Sequence, residues 1–222
     1  MAPPISSAVL HTVPLFSSVP EEQLRMLATV VTRRSTTRGS IIMAAGDPTD
    51  SLYIILSGRL KVMMSDADGK EVILSILGPG EFFGEMGLID DNPRSASVVA
   101  IEPCELLAIT RRDFKKCMTD NGEMAMAVMR GLVRRLREAD RKIGSLALLD
   151  VYGRVARLLL DMSETVDGQK MVTKRLPKQD IAKMIGASRE MVSRVMKDLQ
   201  TGGFIEMRGS TILLRDNIVL PE

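Results

Sequence analysis

Between about Val30 and Thr110 the chain is a succession of short apolar runs cut by glycines, and this pattern limits the fold more than any other. The runs Ser51-Leu52-Tyr53-Ile54-Ile55-Leu56-Ser57, Arg59-Leu60-Lys61-Val62-Met63-Met64 and Glu71-Val72-Ile73-Leu74-Ser75-Ile76-Leu77 are each of strand length. Gly39, Gly46, Gly58, Gly69, Gly78 and Gly80 punctuate them. Asp68-Gly69 lies between two of the runs, and this is the residue pair that tight hairpin turns select. Many short strands at regular spacing predict a sandwich, jelly roll or barrel. Pro20 followed by Glu21 and Glu22 predicts a short helix from Glu21 to Val30 ahead of it.

From about Arg111 to Ser145 the texture changes: proline is absent and glycine sparse. Met129, Leu132, Leu136, Ala139, Ile143 and Leu146 step by three and four, a heptad seam on one long helix. Arg130, Arg134, Arg135, Arg137, Arg141 and Lys142 flank it. Such a stripe can pack back on its own barrel or pair with its twin. Its narrowness, on an otherwise charged surface, favours a parallel homodimer.

After Asp150 the pattern restarts. Arg154 to Met162 reads as a helix and Ser163 to Gly168 as a loop. Lys178–Ile185 and Ser188–Gln200 read as two short helices separated by Gly186. Phe204–Met207 and Thr211–Leu214 read as a hairpin turning at Gly209-Ser210. The expected fold class is α+β: an N-terminal β jelly-roll (1–110), a long dimerisation helix and hinge (111–150), and a C-terminal winged helix-turn-helix (151–222).

The second helix pair has what a helix-turn-helix requires. Ala182 is small enough for a close crossing, and Gly186 accepts a positive φ at the turn. Ser188 is a good N-cap, and Val192, Val195 and Leu199 face back toward the first helix. Arg189, Glu190, Ser193, Arg194 and Lys197 then share the outer side. Arginines can grip guanine edges bidentately, and Glu190 can accept from a cytosine amino group. Residues 171–222 hold nine Lys/Arg against six Asp/Glu, a net of +3. Lys174, Arg175, Lys178 and Lys183 suit phosphate contact. The bland alternative is a helical hairpin with a solvated charged face; the hairpin after it, read as a wing, favours DNA.

A second motif runs from Phe83 to Ser97, FGEMGLIDDNPRSAS. Glycines flank Glu85, a short helical turn follows, and Arg94-Ser95 opens the next strand. Backbone N–H groups at such a turn form a nest for an anion. Arg94 offers a planar fork for phosphate oxygens in a solvated pocket, Ser95 a hydroxyl, and Glu85 an acceptor for a ribose hydroxyl. The bland alternative is a glycine-rich turn with a surface Glu85–Arg94 ion pair.

Other chemistry is poorly represented. The single His11 and the two cysteines, Cys104 and Cys117, cannot supply a zinc site, an iron–sulfur cluster or histidine acid–base catalysis. No Ser-His-Asp, Cys-His or Walker-type pattern occurs, so neither catalytic residues nor a metal or other cofactor is expected, and the chain is not read as an enzyme. The net charge of +2 neither demands nor excludes nucleic acid. No apolar run reaches bilayer length, and Met1 to Leu10 lacks the pattern of a secretory signal. A cytoplasmic protein with no membrane partner is expected.

Taken together, residues 83–97, the stretch RRLREADRKIGSLALLDV at 134–151, and SREMVSR at 188–194 resemble the CRP/FNR superfamily of bacterial regulators, in its cyclic-nucleotide-binding branch. The resemblance covers nearly the whole chain. It implies a sensor domain that binds a cyclic nucleotide (cAMP, cGMP or cyclic di-GMP) as effector. It implies ligand contacts from Gly84, Glu85, Met86, Arg94 and Ser95, with Ala139 and Asp140 where the nucleobase lies. It implies DNA contacts from Lys178, Ser188, Arg189, Glu190, Ser193, Arg194 and Lys197 on a TGTGA-like palindrome of double-stranded DNA, with RNA polymerase as a further partner. Ala139 and Asp140 replace two hydroxyl residues of the cAMP-responsive pattern, which bears on the base. Cyclic di-GMP, or a ligand-independent DNA-binding protein with a vestigial barrel, are the alternatives.

Overall fold

The computed structural model describes residues 5–17, 19–174, 176–209 and 211–215. The chain divides into two compact units, Met1–Arg134 and Arg135–Glu222. Of the residues expected at the DNA site or wing, Arg175 and Ser210 lie outside the described residues.

The first unit opens with α1 (Ser7–His11) and α2 (Glu21–Val30). Then come β1 (Thr32–Thr36), β2 (Ile41–Met43), β3 (Ser51–Ser57), β4 (Leu60–Ser65), β5 (Glu71–Leu77) and β6 (Phe82–Phe83). The short α3 (Met86–Ile89), β7 (Ser97–Ala100), β8 (Cys104–Thr110) and α4 (Arg111–Asp120) complete it, together with the first half of α5 (Gly122–Leu148). The strands form two antiparallel sheets, ordered β1-β8-β3-β6 and β2-β7-β4-β5. This is the expected jelly-roll architecture.

Side-chain alternation along β3 explains the two cores. Tyr53 and Ile55 point between the sheets and join Leu60, Leu77, Phe83, Val98 and Leu106. Leu52 and Ile54 point the other way and are covered by Leu24, Phe114, Met124 and Val128 from the helices. The β4–β5 turn forms at Asp66–Lys70: Asp66 Oδ1 accepts from the N–H groups of Asp68 and Lys70, and Gly69 takes φ +77°.

Capping sets the helix starts. Thr110 Oγ1 accepts from Asp113 N at the start of α4, and Asn121 Oδ1 accepts from Met124 N at the start of α5. A glycine inside a helix costs about 1 kcal/mol relative to alanine. Gly131 nevertheless sits inside α5, because a Cβ there would lie 2.8 Å from the Phe82 ring. The seam is also corrected here. Leu132, expected on it, packs against the first unit's core, while Val133 is exposed. Met129, Val133, Leu136 and Ile143 form the outward apolar line, stepping by four, three and seven; Asp140 occupies the intervening heptad position and is exposed.

The second unit holds the rest of α5, then α6 (Val151–Asp161), β9 (Glu164–Val166), β10 (Gln169–Val172), α7 (Lys178–Ile185), α8 (Arg189–Thr201), β11 (Ile205–Arg208) and β12 (Thr211–Leu214). Ser163 to Gly168 is not simply a loop. It contains β9 and turns at Asp167-Gly168, both at positive φ, into β10. The wing is therefore one edge of a four-stranded sheet ordered β11-β12-β10-β9.

Candidate functional site

The motif at 83–97 folds around buried charge. Glu85 is 2% exposed and Arg94 5%, so a surface ion pair does not describe them. Fully buried charged side chains are rare unless they are paired or functional. Arg94 Nη1 donates to Gly84 O at 2.8 Å; Nη2 donates to Ser51 O at 2.8 Å and to Asp50 Oδ1 at 3.2 Å. The solvated fork expected from the sequence is thus corrected: the guanidinium is enclosed, because β3 and the Gly84 carbonyl converge on it. Gly84, at φ +83°, has to be glycine, since a Cβ would lie 2.5 Å from Arg94 Nη1. Met86 is exposed, and the exposed Ser95 hydroxyl lies 3.6 Å from its sulfur.

Sequence reasoning missed what fixes this turn. Thr49 is buried and donates from Oγ1 to Asn92 O at 3.1 Å. A Cβ at Gly87 would lie 2.2 Å from Asn92 O and 2.3 Å from Thr49 Oγ1. Arg111, the first residue of α4, donates from Nη2 to Thr49 O at 2.8 Å and to Gly87 O at 3.1 Å. Its Nη1 pairs with Asp91, which also accepts from Lys115 Nζ at 3.3 Å. Lys115, by hydrogen bond and charge, and then Arg111 hold the Asp91 carboxyl below the usual range. Asp91 takes φ +59°, a left-handed position that Asp tolerates better than most residues.

Ala139 and Asp140 are both exposed on the part of α5 that belongs to the second unit.

The helices α7 and α8 meet at a left-handed glycine. Gly186 takes φ +65° and ψ +43° at the end of α7, and Ala182 is buried. Ser188 Oγ accepts from Met191 N at 3.1 Å. Val192, Val195 and Leu199 are buried, with Met196 in addition. Arg189, Glu190, Arg194 and Lys197 are exposed; Ser193 and Lys178 are half-buried. Arg154 was missed: from α6 its Nη1 donates to Ile185 O at 2.8 Å, satisfying a last-turn carbonyl of α7 beside the turn.

Residues 33–121 match the family model for the cyclic nucleotide-binding domain, and residues 153–218 match that for the Crp-like helix-turn-helix domain. The chain is 35% identical over 184 residues to a CRP-like cAMP-activated global transcriptional regulator of Mycobacterium tuberculosis, covering 81% of this chain and 82% of that protein. The chain belongs to the CRP/FNR family of transcriptional regulators. Within the family it is also 36% identical to the cAMP-activated global transcriptional regulator Vfr of Pseudomonas aeruginosa, over 82% of this chain and 88% of that one. A solved structure of the c-di-GMP responsive global regulator CLP of Xanthomonas campestris aligns with a TM-score of 0.76 at 30% identity, covering 89% of this chain and all of that one. CRP/FNR membership thus joins a cyclic nucleotide-binding domain to a DNA-binding helix-turn-helix in one chain. Among the described residues, no helix is long and apolar enough to cross a membrane.

Proposed function

We propose that this CRP/FNR member is a cyclic-nucleotide-switched transcription factor that works in the cytoplasm as a parallel homodimer. The burial of two charged side chains, Glu85 and Arg94, on one glycine-rich cassette carries this reading. Charged side chains this buried are rare outside paired or functional sites, and a ribose hydroxyl suits the Glu85 carboxylate as a cyclic phosphate suits Arg94 and Ser95. The backbone at Gly84 and Met86 completes the contact. The intact set of Glu85, Arg94 and Ser95 argues against a vestigial barrel.

The exposed line Met129, Val133, Leu136 and Ile143 on α5 supports pairing with a second copy. Two α8 helices then enter successive major grooves roughly 34 Å apart. Arg189, Glu190 and Arg194 read a TGTGA-like half-site, with Ser193 and Lys197 beside them, and Lys178 and the Ser188 end of α8 contact phosphates. RNA polymerase is the expected partner of the bound dimer.

A second reading concerns the base. Asp140 is an exposed carboxylate and Ala139 has no polar side-chain group. An ionised carboxylate only accepts, so it matches the adjacent N1–H and N2–H of guanine better than the edge of adenine. This favours cGMP or cyclic di-GMP, although the relatives named above include cAMP-activated regulators. Calorimetric titration of wild type and Asp140→Ser with cAMP, cGMP and cyclic di-GMP tests both readings. A guanine preference lost in Asp140→Ser supports the second reading. A cAMP preference ends it and leaves a cAMP receptor. No binding by any of the three sinks the first reading as well.

A further inference from the structure

We propose that Arg111 is a positioning residue for the anion cassette, clamping its helical turn to α4. The proposal rests on the cyclic-nucleotide reading and names a part of that site outside the motif at 83–97. Arg111 touches three segments at once. It donates to Thr49 O ahead of β3, from Nη2 at 2.8 Å and from Nε at 3.3 Å. It donates to Gly87 O inside α3, and it pairs with Asp91 just after α3. Its own backbone N–H donates to Asp50 O at 2.7 Å.

The same short segment carries the Arg94 guanidinium. Arg94 bonds Asp50 Oδ1 and Ser51 O, next to the carbonyls that Arg111 holds. The two arginines therefore share one support. If Arg111 is lost, the Thr49 and Gly87 carbonyls lose a donor and Asp91 loses a cation. The turn then has less to fix its distance from β3, and the phosphate oxygens meet a cassette of variable geometry. A planar fork bridges two carbonyls and a carboxylate simultaneously; an ammonium, as a point charge, does not reproduce that. Because Arg111 opens α4, any shift of α3 on ligand binding is passed to that helix through a side chain rather than through the intervening chain.

The experiment compares wild type, Arg111→Gln, Arg111→Lys and, as a ligand control, Arg94→Leu. Amide hydrogen exchange is followed along the chain, and cAMP, cGMP and cyclic di-GMP are titrated as probes. In Arg111→Gln, exchange should accelerate by roughly tenfold at residues 86–92 while β3 and β8 keep their protection. Affinity for the bound nucleotide should fall by about tenfold, with Arg111→Lys recovering only part of both effects. Unchanged exchange at 86–92, or acceleration spread evenly through the β-sheets, overturns the proposal. So does full rescue by lysine. A wild type that binds none of the probes sinks the cyclic-nucleotide reading, while the exchange comparison still decides the clamp.

Discussion

Arg94 and Arg111 grip neighbouring peptides of one three-residue segment: Arg111 holds Thr49 O and, through its backbone, Asp50 O, while Arg94 holds Ser51 O and the Asp50 carboxylate. One arginine belongs to the cassette and the other to α4, so the start of β3 serves both. Neither can be replaced without leaving carbonyl acceptors short of donors.

Arg94→Leu should therefore do two things. Removing a donor from part-buried acceptors should cost about 1 kcal/mol of folding stability, read by urea unfolding. Loss of the charged fork should also weaken nucleotide binding by more than about tenfold. A folded Arg94→Leu protein with wild-type ligand affinity would remove the cassette from the ligand site.

Two leucines four residues apart on α5 should separate two properties. Leu132→Ala thins the first unit's core and should cost about 2 kcal/mol in unfolding, with association unchanged. Leu136→Lys puts a charge on the exposed line and should weaken self-association by roughly 2–5 kcal/mol, with little effect on the protomer fold. Sedimentation velocity across a concentration series distinguishes them. A Leu136→Lys protein that associates like wild type would refute pairing through this face.

On DNA, Arg194→Ala should lose about 1–3 kcal/mol on the preferred site and relax the preference at one base pair. Lys178→Ala should weaken all sequences alike and flatten the salt dependence. Ser188→Ala removes the cap bonded to Met191 N and should destabilise α8 by about 1 kcal/mol. Binding titrations on specific and scrambled duplexes at several salt concentrations read all three. Equal losses on both duplexes for Arg194→Ala would end its assignment to a base.

Acid should act partly through Asp91. Its folded pKa lies below the ordinary value, held there first by Lys115 and then by Arg111. A depressed carboxyl contributes stability that is fully present above its unfolded pKa of about 3.9 and is lost as pH falls through the folded value. Asp91→Asn should flatten that part of the profile between about pH 4 and the acid limit. Thermal midpoints of the two proteins measured down to about pH 2.5 check this; parallel curves would contradict it.

The strands and the helix-turn-helix were legible because their signals are local. The Asp68-Gly69 turn, the Ser188 cap and the Gly186 turn are each specified within a few residues. Asp167-Gly168 carries the same turn signal as Asp68-Gly69, but the flanking strands are short and polar, and the segment read as a loop. Arg111 left no trace in the pattern, since its partners Thr49 and Gly87 lie 62 and 24 residues away and meet it only through the jelly-roll crossings. The choice between Leu132 and Val133 is also decided by the barrel, because a heptad count cannot say which of two adjacent apolar residues a neighbouring surface will claim.

Gly131 gives α5 a bare patch of backbone where it meets the edge of Phe82, a ring two positions ahead of Gly84. Ridges seated in grooves lock helices into discrete settings. Here no side chain intervenes: the edge of one ring faces bare backbone. At this point the backbone and the ring approach more closely than any side chain on the helix would permit, so the contact sets the spacing between α5 and β6 next to the cassette. An alanine methyl there would act as a stop, fixing the helix in whichever setting first made room for it.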